Sequence, residues 1–123
     1  MQTSLAKLAS VTIVAAMLCL TLGCGTHDTR TAGDLVMHFQ EKGINGVYRP
    51  IFAQLIGASE AGDFSNDDFS VEFYVFDDVS KAESLEKSGK FGRGMHVRNG
   101  SFILFILSPN KATDDLLEAF AEF

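Results

Sequence analysis

Met95-His96-Val97-Arg98-Asn99-Gly100-Ser101-Phe102-Ile103-Leu104-Phe105-Ile106-Leu107 is the stretch from which the fold is read. Asn-Gly between two strand-like runs is a strong short-range hairpin signal, because a type I′ turn needs positive φ at its two central residues. Pairing outward from that turn sets Val97 opposite Phe102, His96 opposite Ile103 and Met95 opposite Leu104. Residues 102–107 are apolar without alternation, which predicts a central strand covered on both faces. Downstream, Ser108-Pro109-Asn110 breaks the strand and Thr113 is placed to cap a last helix. Asp114 and Asp115 favour the N-terminal dipole of that helix, while Leu116, Leu117, Phe120 and Phe123 form its inward face.

Upstream, Phe69, Val71, Phe73 and Val75 alternate with Ser70, Glu72 and Tyr74, the period of a strand with one buried face. Residues 61–64, joined through Ser65-Asn66-Asp67-Asp68, supply its hairpin partner. Asp77-Asp78 ends the strand, and Ser80 with Glu83 reads as the capping box of a helix that Gly89 closes. Further back, Thr31 and Asp34 form another capping box ahead of Leu35, Val36 and Phe39. Tyr48, Ile51, Phe52, Leu55 and Ile56 recur at helical spacing between Pro50 and Gly57, which predicts a second short helix. The expected fold is α+β: a four-stranded antiparallel sheet from two hairpin-helix units (ββαββα), preceded by two short N-terminal helices, with helices mainly on one face.

The start of the chain has a different character. Lys7 is the one charged residue before residue 24, and residues 9–22 form an apolar run of about 14 residues. A bilayer core needs about 20 helical residues to cross. A short basic start, a medium apolar run and small residues at its end are the pattern of a removable secretory signal. Leu20-Thr21-Leu22-Gly23-Cys24 resembles the lipobox of bacterial lipoproteins, with Thr21 where that family prefers Leu. The resemblance implies cleavage between Gly23 and Cys24, thioether-linked diacylglycerol on Cys24 and acylation of the new amino terminus. An ordinary secretory signal cut nearby is the alternative. Gly25, rather than Asp, follows the cysteine, which under the same resemblance favours the outer membrane where there are two. The expected organisation is a signal peptide over 1–23, a lipidated tether over 24–31 and one domain over 32–123, held outside the cytoplasm.

Cys19 and Cys24 are the two cysteines, so cleavage and lipidation would leave no thiol for a disulfide, a nucleophile or a thiolate metal site. The mature chain would carry 9 basic and 16 acidic residues, a charge of −7. An acidic domain is repelled by phosphate backbones, so nucleic acid is not an expected partner. All 11 Phe and both Tyr lie after residue 38, enough aromatic bulk for a domain that folds alone.

Chemistry-bearing residues are sparse. His27, His38 and His96 share no metal-ligand spacing. The pairs Asp67-Asp68 and Asp77-Asp78 are adjacent in strand-like contexts, where neighbours point to opposite faces. Residues 63–68 hold the one acidic cluster that resembles a Ca²⁺ loop, without its glycine or terminal glutamate. Gly57-Ala58-Ser59 lacks the second glycine of a nucleophile elbow, and Lys90-Phe91-Gly92-Arg93-Gly94 is a basic Gly-x-Gly without the remaining phosphate-loop pattern. No metal or cofactor is implied. A better lead is apolar: Tyr74, Phe76, Ile103 and Phe105 would join into one patch, and thus a partner surface, unless a helix covers them. The sequence therefore points to a lipid-anchored, non-enzymatic binding or assembly module with a protein partner in the envelope. The alternatives are a small envelope hydrolase using His38 or His96 with a carboxylate, and a metal or small-molecule sensor.

Overall fold

In the computed structural model, residues 28–89 and 94–123 are described. The chain order is α1 (Ala32–Glu41), β1 (Val47–Pro50), a single 3₁₀ turn (Gln54–Ile56), β2 (Glu60–Ser65), β3 (Ser70–Val75), α2 (Val79–Ser88), β4 (Met95–Asn99), β5 (Phe102–Ile106) and α3 (Lys111–Ala121). The fold is α+β, and its sheet has five strands in the order β1-β2-β3-β5-β4, antiparallel throughout. Both expected hairpin-helix units are present, β2-β3-α2 and β4-β5-α3. Four strands, however, were one too few.

The extra strand replaces the expected second helix. Tyr48 lies opposite Phe64, and Pro50 opposite Gly62. Proline disfavours helix in the residue before it and fits an edge strand, where its missing N–H removes no bond from a ladder on the other side. Tyr48 then stacks on Phe73 with ring centroids 5.6 Å apart, lying over Gly62. A methyl group on Gly62 would collide with the Tyr48 ring and come within 2.8 Å of Phe73 Cζ. The bare glycine is what lets the edge-strand ring reach the core. Phe52, expected on an inward helical face, is instead 72% exposed.

Helices cover both faces, not mainly one. On the first face, Leu35 and Phe39 of α1 and Leu116 and Phe120 of α3 pack on Phe64, Val71, Phe73, Phe102, Leu104 and Ile106. Burying such a side chain fully contributes about 1.5–3 kcal/mol each, so this cluster dominates stability. On the second face, Ala82 and Leu85 of α2, with Ala58 and Phe76, close over Ile103, and Ala53 and Ile56 pack beside them. Residues 102–106 are apolar on both sides for that reason.

The caps are shifted from the expected places. Thr31 and Asp34 do form a capping box. For α2 the cap is Asp78, whose carboxylate accepts from Lys81 N at 2.9 Å, rather than Ser80. For α3 it is Asn110, with Thr113 as its reciprocal partner three residues on. The β4–β5 register also slips by two: Asn99 pairs with Phe102, Arg98 with Ile103, Val97 with Leu104, His96 with Phe105 and Met95 with Ile106. Gly100 has φ +59° and, among the described residues, no non-glycine residue has positive φ, the pattern of a Gly-first type II′ turn. Asn99 is freed from the turn because its side chain donates to Phe120 O at 2.8 Å, tying the hairpin to α3.

Candidate functional site

Among the described residues, α2 and residues 53–58 cover one part of the second sheet face, around Ile103. The register places Arg49, Asp63, Glu72, Phe105 and His96 in one row across all five strands of the same face. Asp63, Glu72, Phe105 and His96 are half-buried and Arg49 is exposed. At the end of this face, a groove of about 470 Å³ lies between the β2–β3 turn and the loop after β5. Phe105 and Leu107 give it an apolar wall, and Asp67, Asp68 and Glu72 line it with carboxylates. Leu107 is 65% exposed.

Local hydrogen bonds shape the groove. Asn66 Oδ1 accepts from Asp68 N at 2.8 Å and from Phe69 N at 3.1 Å, an Asx turn that sets the β2–β3 connection. Asn66 Nδ2 donates to Asn45 O, and Asn110 Nδ2 donates to Asp68 O at 2.9 Å. Asn110 thus caps α3 and ties its start to the turn across the groove. The Tyr74 hydroxyl donates to Glu72; burial first, then that carboxylate, hold the phenol well above its ordinary range.

A second polar cluster sits at the opposite end of the sheet. The Asp28 carboxylate accepts from Arg30 Nε at 2.9 Å and Nη2 at 2.6 Å, and from Arg30 N at 3.1 Å. It also accepts from Ser101 Oγ at 2.9 Å and Ser101 N at 3.2 Å. The Arg30 guanidinium lies over the rings of Phe123 and Phe102, at 4.4 and 5.1 Å, and donates to Asn99 O at 3.3 Å. The Arg30 hydrogen bond, aided by those from Ser101, holds the Asp28 carboxyl well below the usual carboxylate range. Residues 28–31, expected as the end of a tether, are therefore docked on the β4–β5 hairpin.

The residues singled out from sequence are dispersed. Of the four patch residues, Ile103 and Phe76 are buried beneath α2 and residues 53–58, and Tyr74 is half-buried beside them. Phe105 alone of the four lines the groove. His38 Nε2 donates to Ala119 O at 2.7 Å, and its ring lies 5.3 Å from that of Phe123. Asp78 is a helix cap, and Asp77 pairs with Lys81 at 3.2 Å. Ser59 Oγ donates to Val75 O at 3.0 Å. Among the described residues, no three His, Cys, Asp or Glu side chains gather as metal ligands would. Gly23, Cys24, His27 and residues 90–93 lie outside the described residues. No described helix is long and apolar enough to cross a membrane.

Sequence reasoning missed Asp28, Arg30 and Ser101, and also Arg98, whose guanidinium meets Glu83 at 3.6 Å and Glu86 at 3.3 Å on α2. The glutamates at i and i+3 on one helix face were a usable signal; Asp28 with Ser101, 73 residues apart, left none. No protein-family model matches the chain, and neither the curated proteins nor the solved structures searched contain a match.

Proposed function

We propose that this chain is a lipid-anchored protein of the cell envelope, held through diacylglycerol on Cys24, that acts as a binding or assembly module rather than as an enzyme. The anchor rests on the signal-like start and on Leu20-Thr21-Leu22-Gly23-Cys24. Two or three acyl chains, at about 0.8 kcal/mol per buried CH₂, hold a protein at a membrane without further contacts. Gly25 after the cysteine favours the outer membrane of a two-membrane envelope.

The binding role rests on one observation: among the described residues, Phe105 and the exposed Leu107 wall a groove at one end of the second sheet face. Apolar side chains ringed by carboxylates suit a protein surface of apolar centre and polar rim. A hydrolase built on His38 gains no support, because its Nε2 is committed to the Ala119 carbonyl and its ring to Phe123.

Two measurements test this together. Intact mass of the protein from envelope membranes should show diacylglycerol on an N-terminal Cys24, and Cys24→Ala should move it to the soluble fraction. A photo-crosslinking residue in place of Leu107 should give a discrete envelope-protein adduct, absent when the crosslinker replaces Lys81 on α2. An unmodified Cys24 with Met1 retained refutes the anchor, and equal adducts from both positions refute the groove site.

A further inference from the structure

The docked segment 28–31 has a geometric consequence for a protein anchored at Cys24, and the inference rests on that reading of the anchor. Asp28 lies four positions after Cys24, a span of about 14 Å at full extension. Asp28 is not free to move away from the domain. Its carboxylate bridges Arg30 and Ser101 and its side chain is only 10% exposed, while Arg30 is pinned over Phe102 and Phe123. The point from which the anchor leaves is therefore fixed at the β4–β5 turn. Phe76 N donates to Ser101 O at 3.0 Å, which places the start of α2 at this same end. The β2–β3 turn and the β5–α3 loop lie at the other end of the strands, one length of β3 away, about 20 Å for its six residues.

We propose that the Asp28–Arg30–Ser101 clamp makes the Gly100–Ser101 end of the sheet the face that meets the lipid surface, and so presents the groove of Phe105 and Leu107 outward. A short leash attached at one fixed point confines that end to the headgroup region. With residues 28–31 unhooked, the leash would run to Ala32, whose N donates to Glu60 at the same end of the sheet; at about 28 Å of full extension it would hold that end far less closely and let the domain tilt. The clamp thus acts as an orientation device, and the groove is held where a partner approaching from the aqueous side would meet it.

The chain contains no tryptophan, so a single introduced one is the sole indole emitter. Asp77→Trp reports on the clamp end and Asp67→Trp on the groove end. Each variant is reconstituted, as the lipidated protein, in phosphatidylcholine vesicles carrying brominated acyl chains. The Asp77→Trp emission should be quenched several-fold more than that of Asp67→Trp. Inserting a flexible Gly-Ser segment after Gly25, or combining Asp28→Ala with Arg30→Ala, should bring the two towards equality while far-ultraviolet circular dichroism keeps its native shape. Equal quenching in the parent background, stronger quenching of Asp67→Trp, or a difference that survives both alterations would overturn the proposal. If intact mass shows no lipid on Cys24, the anchor reading fails by itself. The chain from Cys24 onward, whose core clusters draw only on residues 32–123, is then coupled by that thiol to a maleimide phospholipid, and the same comparison decides the orientation.

Discussion

Replacing Asp28 with Asn keeps the volume of the side chain and removes the charge at the centre of the clamp. The parent carboxylate accepts bonds from both Arg30 and Ser101, and Ser101 is fully buried. An exposed ion pair contributes about 0–1 kcal/mol, and breaking a fully buried one costs about 3–5 kcal/mol. With side chains 28% and 10% exposed, the Arg30–Asp28 pair lies between these limits. Asn retains one acceptor oxygen, but its amide turns two donors toward groups that are themselves donors. The expected loss is about 2 kcal/mol, or roughly 8–16 °C in Tm for a domain of this size. Urea unfolding followed by far-ultraviolet circular dichroism should show a lower midpoint at unchanged slope.

The pH dependence supplies a second check. The native carboxyl is held below its unfolded value, so the unfolded chain binds more protons in acid. The stabilisation is full above the unfolded value of about 4 and is lost as pH falls through the native one. The advantage of the parent over Asp28→Asn should be flat from pH 7 to 5 and shrink below about pH 4. A loss under about 0.5 kcal/mol at pH 7, the size of a surface contact, would refute a docked clamp and remove the basis for a fixed orientation.

Gly62→Ala should destabilise by about 1–3 kcal/mol through overpacking against Tyr48 and Phe73, and part of that loss should return with Tyr48→Ala; a thermal melt that rises instead would contradict the close approach of β1. Ile103→Ala should cost about 2–5 kcal/mol and Phe105→Ala distinctly less, because α2 seals one and the other lines the groove; equal losses in urea would show the two sites to be equally covered. Leu107→Ser should leave the melt within about 0.5 kcal/mol of the parent and weaken capture of the partner in a crosslinking assay, whereas a clear stability loss would assign Leu107 to packing.

Hairpins and capped helices were legible because their signals are local. Alternation in 69–75, the apolar run 102–107 and the Thr31–Asp34 box each depend on residues within a few positions. The same locality explains the errors. The helical spacing of Tyr48, Ile51 and Phe52 was genuine, but pairing with β2 and stacking on Phe73 outweighed it, as tertiary packing commonly outweighs propensity. Asn99-Gly100 signalled the hairpin, while the two-residue register shift came from Asn99 bonding to Phe120 O and Asp28 bonding to Ser101. The patch of Tyr74, Phe76, Ile103 and Phe105 followed from strand parity, yet α2 and residues 53–58 pack with Tyr74, Phe76 and Ile103, and Phe105 lines the groove. In the candidate site, Phe105 and the Asp67-Asp68 turn were named from sequence; the groove that joins them to Leu107 and Asn110 was not.

Sequence alone determined the fold class and the two hairpin-helix units, because composition and periodicity act over short stretches of chain; the proposed lipidation of Cys24 rests on a five-residue motif of the sequence. Tertiary structure alone decided which part of the sheet α2 and residues 53–58 cover, which glycine receives a neighbouring ring, and that Asp28 and Arg30 are docked on the hairpin. Those outcomes depend on groups 14 to 73 residues apart meeting in space, where burial strengthens a hydrogen bond or an ion pair that water would otherwise screen.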